Sequence, residues 1–112
     1  MRPVVSISLA KEKPFFDSKI AMLLMLIDET KSVRAAGQRM QLSYSSCWNM
    51  IRTLESQLND TLIERSQGGP GGSTSVLTGK GKELLRRYCA YEQILKEQAN
   101  TLYDQYFGGF FE

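Results

Sequence analysis

The chain has 112 residues, of which 42% are hydrophobic and 23% are charged, and its formal net charge is +2. These values are ordinary for one globular domain with at most a small appendage. The sequence contains no histidine, the commonest general base and metal ligand, so we expect neither an enzyme nor a metal or cofactor site.

The N-terminal part predicts a small strand pair followed by a helix. Val4–Leu9 is rich in β-branched residues and partly alternates, so it predicts a strand, and Phe15–Phe16 predicts a short partner strand. Asp17 or Ser18 can cap a first helix that ends near Thr30. Its predicted buried face consists of Ile20, Leu23, Leu24 and Ile27.

Two further predicted helices each begin at a serine. Ser32 can cap a short helix over Val33–Gln41 (or ending one residue earlier), in which the small residues Ala35–Gly37 allow another helix to cross closely. Ser43 can cap a third helix from Tyr44 to about Gln57. Its predicted core stripe is Cys47, Trp48, Ile51, Leu54 and Leu58.

The remainder predicts a hairpin and a long helix. Thr61–Arg65 and Ser75–Leu77 have the composition of strands, and a Gly-rich loop over Ser66–Thr74 joins them. Thr78 can cap a last helix from about Lys80 to Tyr106.

This order of elements predicts a fold class. A strand, three helices, a hairpin and a long helix indicate a mainly α fold with small β content (α+β), the winged helix-turn-helix plan with an N-terminal strand or hairpin. We assign the winged helix-turn-helix domain and the N-terminal strand to residues 1–78. Residues 79–112 are expected to form a long C-terminal dimerisation helix and an aromatic tail.

Charge is distributed unevenly along the chain. Residues 31–82 carry seven basic and three acidic side chains, a net charge of +4, whereas residues 83–112 carry three basic and five acidic side chains, a net charge of −2. A basic middle favours a polyanionic partner. Uneven charge on a solvated surface is the alternative explanation.

The third predicted helix has a polar face that suits a DNA groove. If its apolar stripe lies in the core, Ser45, Asn49 and Arg52 line the outer face together with Ser56. Asparagine and arginine can make bidentate contacts to adenine and guanine, and hydroxyl and free N–H groups at a helix start suit phosphates. A solvated first turn that tolerates serine is the other explanation for Ser43–Ser46.

Two segments resemble a known family. The stretches 32-SVRAAGQRMQLSYSSCWNMI-51 and 62-LIERSQGGPGGSTSVLTGKGKELL-85 are similar to the N-terminal domain of ModE-type molybdate-responsive transcription regulators. Shared features are Ser43-Tyr44 followed by Trp48, the Glu64-Arg65 strand, the GGxGG tip and Leu77-Thr78-x-x-Gly81. LysR-type winged helices are a more distant likeness, through the Leu-Ser turn and the same Leu-Thr-x-x-Gly step.

The resemblance implies a dimer that binds double-stranded DNA, with the third helix in the major groove and the hairpin as the wing. It assigns DNA contacts to Ser32, Arg34, Ser43, Tyr44, Ser45, Asn49, Arg52, Arg65, Gln67 and Lys80. Tyr44 can instead pack against the second helix, Arg65 can instead pair with Glu64 or an acidic neighbour, and Trp48 is assigned to the core. A chain of this length has no room for the oxyanion-binding domains of full-length regulators, so we expect no molybdate site.

The last helix predicts a seam between two subunits. Apolar and aromatic residues recur at spacings of three and four, typical of a helix that packs against another helix. The seam residues are Leu84, Tyr88, Tyr91, Leu95, Leu102 and Tyr106, with Gln98 among them. A small domain cannot cover a helix this long, so we expect a homodimer, although the seam could pack on its own domain. For Phe107, Phe110 and Phe111 two alternatives stay open, docking on the partner or disorder.

The remaining features concern location and alternative functions. Cys47 and Cys89 lie in apolar helical patterns at no metal-ligand spacing, so both predict buried free thiols in a reducing cytoplasm. The N-terminal residues lack the apolar core of a signal peptide and Met22–Ile27 is too short to cross a bilayer, so no membrane partner is expected. A protein-interaction module on a winged-helix scaffold is the second functional hypothesis. Single-stranded RNA binding is less favoured, because no exposed aromatic platform is evident.

Overall fold

The computed structural model describes residues 1–67 and 73–112. Its elements in chain order are β1 Leu9–Ala10, β2 Pro14–Phe16, α1 Ser18–Thr30, α2 Val33–Arg39, α3 Tyr44–Leu58, β3 Ile63–Gln67, β4 Ser73–Leu77 and α4 Gly79–Phe107. The strands form two antiparallel pairs, β1 with β2 and β3 with β4. The predicted fold class, mainly α with small β content and a long C-terminal helix, is confirmed.

Each helix begins at a residue whose side-chain oxygen accepts a backbone N–H, which satisfies a donor left free at a helix start. The four accepting residues are Asp17, Ser32, Ser43 and Thr78. The Oγ atom of Ser43 accepts from the amide of Ser46 at 3.1 Å and also contacts the Ser46 hydroxyl at 2.8 Å. The predicted caps are therefore confirmed.

The core lies between α1, α3, the hairpin and the start of α4. Its largest fully buried side chains are Phe16, Leu23, Leu24, Ile27, Ile51, Leu54, Leu62 and Cys47. Burial of one such aliphatic or aromatic side chain stabilises the fold by about 1.5–3 kcal/mol. Ile20 and Leu58, predicted to be buried, are only partly buried and pack at the edge of this core.

The N-terminal strand prediction is wrong in its bounds. β1 begins at Leu9, whereas the prediction began at Val4, whose side chain is 88% exposed. Leu9 pairs with Phe16, and β2 has only three residues, so it offers no pairing groups to the residues before Leu9. The residues before Leu9 contact α4 instead, since the Tyr88 hydroxyl donates to the carbonyl of Ile7 at 2.8 Å.

The hairpin strands reach further into the predicted loop than expected, since β4 is two residues longer than predicted and β3 has the predicted length but begins and ends two residues later. β3 and β4 pair from Ile63 with Leu77 to Gln67 with Ser73, so much of the predicted loop over Ser66–Thr74 belongs to strands. The Ser66 and Thr74 hydroxyls lie 2.7 Å apart across the pair, which supports strand pairing in a segment that composition assigned to a loop. The GGxGG tip, residues 68–72, lies outside the described residues.

Helix α4 leaves the core after its first three turns. Gly81 and Tyr88 are buried, and Leu84 and Leu85 pack at the edge of the core. With 29 residues, α4 is about 43 Å long at 1.5 Å per residue, and the molecule measures 60 × 28 × 22 Å. Within the described residues, no helix has both the length and the apolar character that a membrane span would need.

The prediction that Tyr88 belongs to the subunit seam is wrong. Its side chain is 3% exposed, its ring lies 4.9 Å from that of Phe16, and its hydroxyl contacts Ile7 and Glu92. It therefore fills the core of its own subunit. Burial first, and the neighbouring Glu92 second, raise the pKa of Tyr88 to about 12.

Both cysteines are free thiols, as predicted, but only Cys47 is buried; Cys89 is half-buried. Burial raises the pKa of each thiol, which keeps it protonated and poorly reactive.

Candidate nucleic-acid interface

The outer face of α3 is exposed along its length. Ser45, Asn49, Arg52 and Ser56 are all exposed, and they lie opposite the buried Cys47, Ile51 and Leu54. This division follows from helical periodicity, because residues three and four apart share one face. No part of the described chain covers this polar row, so it can enter a groove of another molecule.

An aromatic pair borders this face on the side of the hairpin. Tyr44 and Trp48 are one turn apart on α3, both are half-buried, and their rings meet edge to face with centroids 6.3 Å apart. The indole N–H of Trp48 is buried and finds no hydrogen-bond partner among the described residues.

Arginines from three elements gather on this aromatic pair. The Arg34 guanidinium of α2 lies 4.3 Å from the centre of the Tyr44 ring. From β3, Arg65 donates a hydrogen bond to the Tyr44 hydroxyl at 3.2 Å and lies 5.1 Å from the centre of the Trp48 ring, whereas Arg52 of α3 lies 5.8 Å from it. These distances fit cation–π contacts. We call Arg34, Tyr44, Trp48, Arg52 and Arg65 the arginine–aromatic cluster.

The arginines of this cluster have no acidic partner among residues 1–67 and 73–112. The ion pairs described there involve Lys31, Arg39, Arg86, Arg87 and Lys96 as the basic partners. The alternative in which Arg65 pairs with Glu64 is therefore not observed. Three positive charges beside an uncovered polar helix face produce a local positive potential that attracts a polyanion.

A polar cleft opens next to the cluster, between the start of α2 and the hairpin. Its volume is about 220 Å³, and its lining residues are Ser32, Val33, Arg34, Tyr44, Arg65 and Ser75. The hairpin is held against α1 here, because the amide of Ser75 donates to the carbonyl of Lys31 at 2.9 Å. Ser32 uses its Oγ to cap α2, accepting from the amide of Ala35 at 3.0 Å.

The remaining predicted contact residues are not joined to this cluster. Lys80 is exposed in the first turn of α4, an element that contributes no residue to the cluster. Gln67 lies at the end of β3, where the backbone is described and its side chain is not.

Tyr44 packs on Arg34 of α2, as the alternative for this residue anticipated, and its hydroxyl also contacts Arg65.

The sequence prediction missed the role of Trp48. It assigned the indole to the core, but the ring is only half-buried and two arginines lie beside it. Spacing of four residues between Tyr44, Trp48 and Arg52 on one helix is a signal that could have placed Arg52 near the ring. The contact with Arg65, 17 positions later in the sequence, has no such local signal.

Comparisons with known proteins agree with this geometry. The family model described as "bacterial regulatory helix-turn-helix protein, lysR family" matches residues 21–82. Among curated proteins, the DNA-binding transcriptional dual regulator ModE of Escherichia coli (strain K12) is 31% identical over 94 residues, which are 84% of this chain and 36% of that protein. The transcriptional regulator ModE of Yersinia pestis is 30% identical over the same shares of the two chains. This chain thus spans about a third of the length of these relatives.

A solved structure supports the fold. The CbnR DBD–DNA complex matches 71% of this chain and 86% of its own chain with a TM-score of 0.57 at 21% identity. The relationship expected from Ser43-Tyr44, Trp48 and the Leu77-Thr78-x-x-Gly81 step is confirmed by the ModE relatives. Because the family model covers more than half of its residues, the chain belongs to the lysR family of bacterial regulatory helix-turn-helix proteins.

Proposed function

We propose that this chain binds specific sites in double-stranded DNA as a homodimer and regulates transcription in the cytoplasm. The proposal rests on the exposed polar face of α3 and the three arginines beside it. Within the described structure these arginines form no ion pair. Family membership and the regulators among its relatives support the same function. No effector is proposed, and no molybdate site.

In this proposal α3 enters the major groove and Asn49 and Arg52 contact base edges. Their amide and guanidinium groups can each form paired hydrogen bonds, to adenine and to guanine. The remaining contacts position the protein on phosphates, which fixes the register and carries no sequence information. These contacts come from Ser32, Arg34, Ser43, Tyr44, Ser45 and Lys80, and from the wing through Arg65 and Gln67.

The aromatic pair positions the arginines of the cluster before they bind DNA. An exposed arginine loses side-chain entropy when it binds, and a guanidinium already stacked on a ring loses less. Tyr44 and Trp48 thus hold the guanidinium groups of Arg34, Arg52 and Arg65 near one another before DNA arrives.

The dimer is proposed from the exposed stripe on α4. Tyr91 is 54% exposed, Leu102 51% and Tyr106 76%, and Leu84 and Leu95 lie half-buried on the same side of the helix. Tyr88 is left out of this interface because its own core covers it. Two-fold pairing through residues 79–112 would present two winged domains, residues 1–78, with recognition helices about 34–36 Å apart on one face of B-DNA.

Substitution of Arg52 tests base contact, and substitution of Lys80 tests phosphate contact. On a fragment selected from a genomic library, Arg52→Ala should weaken binding by roughly 1–3 kcal/mol and relax preference at one base position. Lys80→Ala should weaken binding to all sequences about equally and lower the salt slope by about 1. Fluorescence anisotropy over a salt series measures both effects.

The matched control is Arg39→Ala. Arg39 is an exposed arginine on α2 that pairs with Glu29 at 3.2 Å, outside the cluster. The interface proposed here is wrong if Arg52→Ala and Lys80→Ala bind DNA as the wild type does while all variants stay folded.

A protein-interaction module on the same scaffold is the second candidate, favoured by one observation. Phe110 and Phe111 are 74% and 52% exposed at the end of the chain described here. An absence of DNA binding even at low salt, together with a stable complex with another protein, would select this candidate.

A further inference from the structure

The β1–β2 hairpin runs beside α3. Residues Pro14–Asp17 line one side of a cleft, and Asn49 and Met50 of α3 are among the residues that line the other. At the tip of the hairpin the Lys11 ammonium contacts the carbonyl oxygen of Gln57, in the last turn of α3. The hairpin therefore follows α3 from Asn49 to Gln57, which is about 12 Å of helix.

The two hairpins of the protein flank the polar row of α3 on opposite sides. A helix turns by about 100° per residue, which fixes where each side chain lies around the axis. From the middle of the row, Trp48 and Glu55 lie about 70–90° to one side, where they contact β3 and the residue before it. Thr53 and Gln57 lie about 70–110° to the other side, next to the β1–β2 hairpin. The polar row thus lies between the two hairpins.

The β1–β2 hairpin is anchored to the core. Leu9 pairs with Phe16, the Phe16 side chain is 1% exposed, and its ring lies 4.9 Å from that of Tyr88. Lys13 comes three residues before Phe16 in the sequence. The tip of the hairpin is therefore held close to α3.

This tip carries a positive charge that the described chain does not neutralise. Lys11, Glu12 and Lys13 are all exposed, and their charges sum to +1. In the described parts of the chain neither lysine takes part in an ion pair. The Asp17 carboxylate, at the other end of β2, accepts the amide of Ile20 at the start of α1.

We propose that the β1–β2 hairpin is a second DNA-binding hairpin, in which Lys13 binds a phosphate on the strand opposite the one that the arginine–aromatic cluster contacts. This proposal rests on DNA binding by α3 under the proposed function and adds a backbone contact to it. The major groove is about 12 Å wide, and its two walls are the backbones of the two strands. A helix about 10–12 Å in diameter fills this width, so elements on its two flanks face different strands.

The salt dependence of DNA binding tests the contact. Lys13→Ala should lower the slope of log K against log salt by about 1 for each bound subunit, on specific and random sequences alike. A slope of about 0.9 amounts to a factor of about five in affinity between about 1 M and about 0.15 M salt. Fluorescence anisotropy with the full chain over a salt series measures both quantities.

Two matched variants control for charge. Glu12→Gln removes a negative charge from the same tip, so it should strengthen DNA binding, and more at low salt, where screening is weak. Lys96→Ala removes the same charge as Lys13→Ala, but Lys96 lies on α4 and pairs with Glu92 at 3.6 Å. It should leave the salt slope unchanged. Circular dichroism checks that all three variants are folded.

Phosphate ethylation interference identifies the strand. On a selected DNA fragment, Lys13→Ala should lose sensitivity to ethylation at one phosphate in each half-site. Arg34→Ala should lose it at a phosphate on the other strand of the same half-site. Loss on the same strand in both variants, or an ethylation pattern unchanged by Lys13→Ala, contradicts the second hairpin contact.

Failure of this proposal is distinguishable from failure of the proposed function. If the wild type binds DNA and Arg52→Ala weakens it, while Lys13→Ala has the salt slope of Lys96→Ala, the hairpin contact is refuted and the proposed function stands. A folded wild type that binds no DNA at low salt removes both.

Discussion

Replacement of Gly37 by alanine should destabilise the protein where the helices of the helix-turn-helix cross. Gly37 is buried in α2, and a Cβ atom there would lie 2.6 Å from the Cys47 Sγ of α3 and 3.2 Å from the carbonyl oxygen of Leu42. The first distance is shorter than side-chain carbons tolerate, so α2 and α3 would have to separate or Cys47 would have to move. The angle of α3, and with it the presentation of its polar face, depends on this contact.

The magnitude is a difference between two opposing terms. Alanine is favoured over glycine in a helix interior by about 1 kcal/mol. Overpacking of a well-filled core costs about 1–3 kcal/mol, and Cys47 is fully buried, so its sulfur has little room to move. We expect Gly37→Ala to lower the free energy of unfolding by up to about 2 kcal/mol.

A double-mutant cycle separates the clash from other effects. Cys47→Ala removes the sulfur, so Gly37→Ala should cost less in that background than in the wild type, with a coupling of about 1 kcal/mol. Gly79→Ala is the control, since no atom lies within 4 Å of the added carbon there and stability should be unchanged or slightly raised. Urea unfolding followed by circular dichroism measures all variants. Strictly additive effects, or a Gly37→Ala variant as stable as Gly79→Ala, would refute the steric reasoning.

Two further predictions concern single polar side chains, the half-buried Glu55 and the buried Tyr88. Glu55→Ala should lower the free energy of unfolding in urea by about 1–3 kcal/mol, because the Oε2 atom of Glu55 accepts the amides of Leu62 at 2.7 Å and Ile63 at 3.2 Å. Glu55→Gln keeps an acceptor and should lower it less. Equal losses of stability in the two variants would contradict this role. Tyr88→Phe should remove a loss of stability that the wild type shows at alkaline pH. Burial raises the pKa of Tyr88 to about 12, so the protonated hydroxyl contributes its full stabilisation below pH 10. This stabilisation falls by about 2–3 kcal/mol as the pH rises towards 12. Unfolding at both pH values, with the exposed Tyr91→Phe as control, measures this difference, and an unchanged pH dependence in Tyr88→Phe would contradict it.

Helix boundaries were predictable because their signals are local. Each cap needs a short polar side chain and an amide two or three residues later, so Asp17, Ser32, Ser43 and Thr78 could be recognised from sequence. Strand bounds were less predictable, because a strand exists only where a partner offers its pairing groups. Val4–Leu9 has strand-like composition, yet only Leu9 finds a partner in β2.

Tyr88 shows the same limit on helical patterns. Periodicity places Tyr88 on one stripe with Leu84 and Tyr91, but it does not say whether the stripe meets the protein's own core or another chain. The structure resolves this residue by residue, since Tyr88 is 3% exposed and Tyr91 is 54% exposed on the same helix.

The sequence by itself determined the helices, their caps, the basic middle and the polar row of α3, since each of these depends on residues within a few positions of one another. Only the tertiary structure decided that Arg34, Arg52 and Arg65 meet on Tyr44 and Trp48, and that no described carboxylate neutralises them. The reason is that these contacts join α2, α3 and β3, whose relative placement follows from the packing of the whole core and from no local pattern.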